Sequence, residues 1–297
     1  MGRSRRLSER LRVTAPASSA NLGPGFDCMA LALELRNEVD ISRAADDGPP
    51  LVTVVGEGAD EAPTGEDNLF LRAFRAAGGD ARGLRIEMRN AVPFSRGLGS
   101  SAATIVAGLA AADAWSGHEP RDLLTLAAGL EGHPDNVAAA LNGGLTLAWD
   151  GADGVSAIGF GVPEAGFVVV MAEQRLSTAE ARAALPAEVP HGDAVHTAAR
   201  AALLVAAVGA GDAGLLRDAL DDRLHEPYRA PLTPLLGGVR EALSGAGDVY
   251  GVTLSGAGPS VLVWCEPGTE EGIAGRLRVP GAQALAIAVA EEGVTAS

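Results

Sequence analysis

The sequence predicts an α+β protein of two domains, on three observations. The chain has 297 residues, enough to bury two moderate cores rather than one large one. Strand-like runs rich in Val and Ile alternate with Ala- and Leu-rich helical runs through both halves. Between them, residues 150–164 are rich in glycine and poor in large apolar side chains, as a seam between domains is. The boundary follows: residues 1–160 form one domain and residues 161–297 the other.

The first ten residues, MGRSRRLSER, carry no apolar run of the signal-peptide kind and read as a frayed tail. Val13–Ala15 and Met29–Ile41 read as strands of one antiparallel system, joined by a Gly/Pro turn over NLGPGFDC (21–28). LVTVV (51–55) is a further strand. Asn68–Ala77 reads as a short helix, with Asp67 or Thr64 as its cap. Arg85–Val92 alternates apolar and polar residues, the period of a half-buried strand. Ala102–Trp115 is Ala-rich and free of proline, hence helical. Helices over Arg121–Leu130 and Pro134–Leu141, split by Glu131-Gly132-His133, and a strand over Leu145–Trp149 complete the first half.

In the second half, Phe167–Met171 is a buried strand. Thr178–Ala184, Ala194–Val208, Leu215–Leu220 and Leu235–Leu243 read as helices, with another near Glu270–Leu277. Val249–Leu254, Val261–Cys265 and Ala284–Ala290 read as strands, the first two joined by a Gly-rich turn, LSGAGP (254–259).

PFSRGLGSSAA (93–103) lies between a strand and a helix, with Ser100 or Ser101 at the helix start. Unpaired backbone N–H groups and the positive end of the helix dipole converge there, so an anion, phosphate first, is the natural guest. Two familiar phosphate loops do not fit. The G-x-x-x-x-G-K-[ST] pattern needs a lysine, and the chain has none; all 23 basic residues are Arg. The G-x-G-x-x-G pattern ends on Ala102, and no acidic strand end follows at the dinucleotide spacing. A serine-capped helix start remains the plainer alternative.

Composition narrows the partners. A formal charge of −15 argues against nucleic acid, which is bound through clustered cations. The longest apolar runs are broken by Gly, Asp or Arg before they reach the length of a membrane span. Cys28 and Cys265 lie far apart without metal-ligand spacing, which points to a reducing, cytoplasmic setting. Without lysine, any cation offered to a ligand must be Arg, protonated His or a metal ion.

Three segments together carry a resemblance: PASSANLGPGFDCMALAL (16–33), PFSRGLGSSAA (93–103) and GVTLSGAGPS (251–260). In this order and spread the chain resembles the galactokinase–homoserine kinase–mevalonate kinase–phosphomevalonate kinase (GHMP) superfamily. EGHPDNVAAAL (131–141), STAEAR (177–182) and HEPYRAPL (225–232) resemble its homoserine kinase branch. The resemblance implies an N-terminal nucleotide-binding domain like domain 2 of ribosomal protein S5, and a C-terminal ferredoxin-like domain. It implies ATP and Mg²⁺ as cofactors, and transfer of a phosphoryl group to the side-chain hydroxyl of L-homoserine, a step of threonine biosynthesis. The partners are small molecules, and a homodimer is compatible with the family.

Residue by residue, the resemblance assigns Pro93, Phe94, Ser95, Arg96, Gly97, Leu98, Gly99, Ser100, Ser101, Ala102 and Ala103 to the loop that wraps the ATP phosphates. There, Gly97 and Gly99 let the main chain come close without a Cβ in the way. Ser101, favoured over Ser100, and Glu131 would hold Mg²⁺ through hard oxygens. Asn21 and Asp27 would receive the substrate ammonium, and Arg182 and Arg229 its carboxylate, which a guanidinium grips as a fork. His133, Asp135 and Asn136 fall where the hydroxyl should sit, and Gly256 would close over the ligands from the second domain. Asp135, at a helix start, is a weak base, so it and Asn136 would orient the hydroxyl rather than strip it. Two rival readings stay open: a sister kinase acting on mevalonate or a sugar, and a non-catalytic binding protein that keeps the fold.

Overall fold

The computed structural model describes residues 10–116, 122–161 and 164–297. The tail reading for residues 1–10, apart from Arg10, which is already in a strand, and the helix start at Arg121 lie outside them. Two long antiparallel strands, β1 (Arg10–Asn21) and β2 (Gly25–Arg43), form the spine. The turn between them is shorter than the sequence suggests, because Asn21 pairs with Gly25 and only three residues intervene. β3 (Leu51–Gly56) runs parallel to β4 (Leu84–Asn90), which pairs with β2.

α1 (Leu69–Ala76) packs beside α2 (Ser100–Ser116). The cap of α1 is neither Asp67 nor Thr64 but Asn68, whose side-chain oxygen accepts the Leu71 N–H at 3.1 Å. Asn68 thus precedes the first helical residue as the N-cap and is not part of the helix itself, in keeping with its strength as a cap. α2 is apolar around most of its circumference and buried along most of its length, so it is the central post of the first half. α3 (Leu123–Glu131), capped by Asp122, and α4 (Asp135–Asn142) follow, then β5 (Leu145–Gly151), which pairs with Met29–Leu31 of β2 on the same edge as β4.

The expected seam over residues 150–164 holds a strand instead. β6 (Gly154–Gly159) folds back on β5 through Ala152-Asp153, with Gly151 opposite Gly154. As an outer strand it needs few large apolar residues, which is why its sequence looks like loop.

The second sheet is antiparallel, in the order β10 (Ala282–Ala286), β7 (Gly166–Ala172), β9 (Val261–Cys265), β8 (Val249–Leu254). Its alternation divides two cores. Val168, Val170, Val261 and Val263 face α9 (Pro234–Ala242) and α10 (Glu270–Arg276). Phe167, Val169, Leu262 and Trp264 face the other way, joining Leu22, Met29, Leu31, Leu98 and Leu145 of the first half in one shared core. Phe167 and Trp264 meet edge to face there, 4.9 Å between centroids. The two halves are therefore packed on common apolar ground.

α5 (Thr178–Ala183) opens with a capping box, Ser177 and Glu180 each satisfying the other's backbone N–H. α6 (His191–Ala210) spans 20 residues, and its most apolar window has mean hydropathy 1.2. By length and composition alone it could cross a membrane, because Ala and Val carry the average past Asp193 and Arg200, the charges that break its apolar run. The helix expected at Leu215–Leu220 is a 3₁₀ turn, Ala213–Leu215, followed by α7 (Leu216–Ala219). α8 (Glu226–Arg229), a single turn, was not visible in the sequence pattern.

The strand expected to Ala290 ends at Ala286. Beyond it the chain leaves the second sheet for the first, with Ala290 bonded to Ala32, and β11 (Thr295–Ala296) pairs with β1.

Candidate functional site

The three glycine-bearing segments meet at the junction of the halves, around a cleft of about 360 Å³. Loop 93–101 lies between the β1–β2 turn and the β8–β9 turn. Ser18 N–H donates to Leu98 O at 3.1 Å, Ser255 Oγ–H to Gly97 O at 2.7 Å, and Leu176 N–H to Ser95 O at 3.0 Å. Gly99 O accepts from Ala103 as α2 begins. The carbonyls of Ser95, Gly97, Leu98 and Gly99 are thus satisfied by the protein. None of the loop's backbone N–H groups from Phe94 to Ser101 donates to another described residue. Amides left without a protein acceptor at a helix start, facing a cleft, form a cradle for an anion.

The glycines serve a different purpose from the expected one. A Cβ on Gly97 would stand 2.2 Å from Ser255 O, and one on Gly99 2.2 Å from Ser18 Oγ. Both residues have positive φ, +77° and +66°. The close approaches they permit are to the neighbouring protein segments, which lock the three motifs together. Ala102 and Ala103 do not line the cleft; both are fully buried in the core under α2.

Ser101 Oγ–H donates to Glu131 Oε1 at 2.6 Å at the end of α3. Burial raises the Glu131 carboxyl above its ordinary range. Next to it, His133 Nδ1 and Asp135 Oδ1 are 2.9 Å apart, and this bond raises the His133 pKa. Asp135 Oδ1 also accepts the Asn136 N–H, and Asn136 Oδ1 accepts Ser18 Oγ–H at 2.8 Å.

At the opposite wall Asn21 is committed to the fold. Its Oδ1 accepts the Asp27 N–H at 2.9 Å and its Nδ2 donates to Gly256 O at 2.7 Å. Asn21 and Asp27 both have positive φ, 71° and 57°, and this pair of bonds shapes that turn. Asp27, expected to face an ammonium, receives both terminal nitrogens of Arg182 at 2.8 and 3.0 Å. The two residues expected to grip opposite ends of a zwitterion thus grip each other.

Arg229, 2% exposed, has no carboxylate partner among the described residues. Its Nε donates to Ala181 O at 3.3 Å and its Nη1 to His225 Nδ1 at 3.2 Å, while its Cζ sits 5.1 Å from the Phe26 ring centre. Burial lowers its pKa.

Every other candidate (Asn21, Asp27, residues 93–101, Glu131, His133, Asp135, Asn136, Arg182, Arg229 and Gly256) lines the one cleft. Sequence reasoning missed the cleft's other end, where Pro63, Asn68, Leu69, Met88 and Asn90 supply a less charged lining. It also missed Ser18, Phe26 and His225. Their signal was present in the quoted motifs, but residues that touch other residues leave no chemical signature of their own.

The model of the GHMP kinases N-terminal domain matches residues 68–144, and that of the GHMP kinases C-terminal domain residues 203–282. The chain is 46% identical to homoserine kinase from Gloeobacter violaceus, covering 84% of this chain and 86% of that one. It is 44% identical to homoserine kinase from Streptomyces coelicolor, covering 88% and 86%. The crystal structure of homoserine kinase from Cytophaga hutchinsonii superposes with a TM-score of 0.86 at 27% identity, over 98% of both chains. The Streptococcus pneumoniae phosphomevalonate kinase structure, at 15% identity and a TM-score of 0.71 over 95% of this chain and 100% of that one, shares the fold.

Proposed function

The chain belongs to the GHMP kinase family, and from that premise we propose that it transfers the γ-phosphoryl group of ATP to the side-chain hydroxyl of L-homoserine. The observation that carries this reading is the row of free amides in loop 93–101, set in one cleft with a buried arginine that lacks a carboxylate. The first suits polyphosphate and the second suits an amino-acid carboxylate. The less charged end, between Pro63 and Asn90, leaves room for the base of the nucleotide.

Phosphoryl transfer asks a protein mainly for alignment and charge neutralisation. Ser101 Oγ and Glu131 Oε1, two hard oxygens 2.6 Å apart beside the loop, fit Mg²⁺, which prefers few protein ligands and keeps several waters. When bound, the ion would neutralise charge on the transferring group. Glu131 gains from such a partner, since its burial disfavours a bare carboxylate. Loop amides take up phosphate charge without lysine. Asp135, fixed by His133 and by the Asn136 N–H, orients the substrate hydroxyl; a loose transition state needs little more. Arg229 holds the substrate carboxylate. Asp27 receives the ammonium while keeping Arg182 close, so the zwitterion adds to an existing ion pair. Asn21 acts by shaping the turn that presents Asp27, and Gly256 by holding Asn21. The reaction belongs to the route from homoserine to threonine, carried out in the cytoplasm.

The test is direct. Purified protein with ATP and Mg²⁺ is offered L-homoserine, mevalonate and galactose, and products are read by ³¹P NMR. O-Phospho-L-homoserine as the dominant product supports the reading. Equal or greater transfer to mevalonate or galactose replaces it with the sister-kinase reading, and no transfer at all with the binding-protein one.

A further inference from the structure

We propose that His225 is a positioning residue for the amino-acid end of the cleft: held as its Nε2–H tautomer, it accepts from Arg229 and aims the guanidinium at the substrate. The inference rests on the reading of Arg229 as the carboxylate partner.

The geometry fixes the tautomer twice. His225 Nε2 lies 2.8 Å from Gly23 O, and a carbonyl only accepts, so Nε2 carries the proton. The lone pair is then on Nδ1, and the group 3.2 Å from it, Arg229 Nη1, only donates. The ring has no freedom to swing, being fully buried and stacked on Phe26 with centroids 4.9 Å apart and planes 22° off parallel. Arg229 lies against the same Phe26. With Nε given to Ala181 O and Nη1 to His225, the guanidinium is fixed in orientation, and Nη2 has no acceptor among the described residues. Arg229 lines the cleft, so that nitrogen is the one left for a ligand.

The charged groups around the ring are Asp222, whose Oδ2 is 3.6 Å from Nε2, together with Arg229 and Asp27. Asp222 Oδ2 is already shared between the N–H groups of His225 and Glu226. Burial outweighs the carboxylates, and the imidazole pKa falls to about 4. The ring therefore stays neutral at working pH. A protonated ring would lose its acceptor and set a second cation against Arg229.

Two measurements on the full-length protein test this. The first is ¹⁵N NMR of histidine-labelled wild type between pH 5.5 and 8, the His225 signal being assigned by its loss in His225→Gln. The expected result is an Nε2–H tautomer that does not titrate; an Nδ1–H tautomer or a midpoint near 6.5 overturns the proposal. The second is kinetic. His225→Leu should raise the KM for homoserine by about 10-fold or more, leave the KM for ATP within about 2-fold, and lower kcat less than it raises the homoserine KM. His225→Gln, whose amide oxygen can accept from Nη1, should recover part of the loss, and it stands alone if the leucine variant fails to fold. Unchanged homoserine KM, or equal changes for both substrates, overturns the proposal. If wild type itself leaves homoserine untouched, the substrate reading has failed; if only the variants misbehave, this inference has.

Discussion

The two ends of the cleft are built on opposite plans. At the loop end the main chain does the work: carbonyls are satisfied by the protein, N–H groups are left free, and glycines fit where no Cβ can go. At the end proposed for the amino acid, side chains take that part. Arg182 is 39% exposed and paired with Asp27, whereas Arg229 is buried and held by a carbonyl, a neutral ring and a π-face. A main-chain site fails all at once when its path is disturbed. A side-chain site fails in proportion to the contact removed. Within the second plan, a buried cation with no carboxylate in contact has more to gain from a bound carboxylate than one already paired in partial solvent.

The largest effect should come from the loop. Gly99→Val puts a branched residue at φ +66° with its Cβ in the Ser18 hydroxyl. Calorimetric titration should show ATP affinity falling by ~10²-fold or more while far-UV circular dichroism stays native. Wild-type affinity in that titration would return the loop to an ordinary helix start. Glu131→Gln comes next, because electrostatic stabilisation is the main contribution to phosphoryl transfer. Its kcat should drop by ~10²-fold with ATP binding largely kept. A near wild-type rate at sub-saturating Mg²⁺ would remove Glu131 from the metal site.

At the other end the two arginines should separate. Loss of a charged hydrogen bond is worth roughly 1.5–3 kcal/mol, so Arg229→Leu should raise the homoserine KM by ~10- to 150-fold and leave ATP nearly unaffected. Arg229→Lys should recover only part, since an ammonium cannot keep the contacts to Ala181 and His225 at once. Arg182→Leu should cost less. Equal losses in steady-state kinetics would mean the paired arginine leaves Asp27 to bind the substrate, and the contrast drawn here would collapse.

How far this contrast could be read in advance depended on which groups carried it. Periodicity placed most strands and helices, since β7 and β9 write both cores into alternate residues. The loop and the polar residues beside it in the cleft were legible because their residue types are unusual in combination. Three things were not. β6 looked like a linker because an outer strand needs little hydrophobicity. The glycines of the loop were read as making room for a ligand, whereas their Cβ directions meet Ser18 and Ser255. Asp27 and Arg182, 155 residues apart, were assigned separately, since pairing across that distance is a property of topology. His225 was invisible for the same reason: its partners come from the β1–β2 turn and from α8.

The smallest expected effect is on stability and again divides the two ends, because the end proposed for the amino acid rests on buried groups that titrate. His225 has its folded pKa lowered to about 4, so the unfolded chain binds its proton first. Its contribution is complete above the ordinary histidine value near 6.5 and is lost as pH falls from there towards 4. Glu226 has the opposite sign. It accepts from Leu254 N–H and Arg240, yet burial raises its pKa to about 6. Its ionised form therefore costs stability above pH 6, and the cost is relieved as pH falls from 6 towards 4.5. The histidine has the larger shift, so the two slopes do not cancel, and urea unfolding should show wild type losing on the order of 0.5–1 kcal/mol between pH 7 and 5. Glu226→Gln lowers stability overall by weakening the contact to Arg240, but it removes the opposing slope, so its loss over the same interval should be steeper than wild type's. His225→Gln should be flat or should gain on acidification. A Glu226→Gln slope shallower than wild type would show that these two groups do not set the acid response of this end of the cleft.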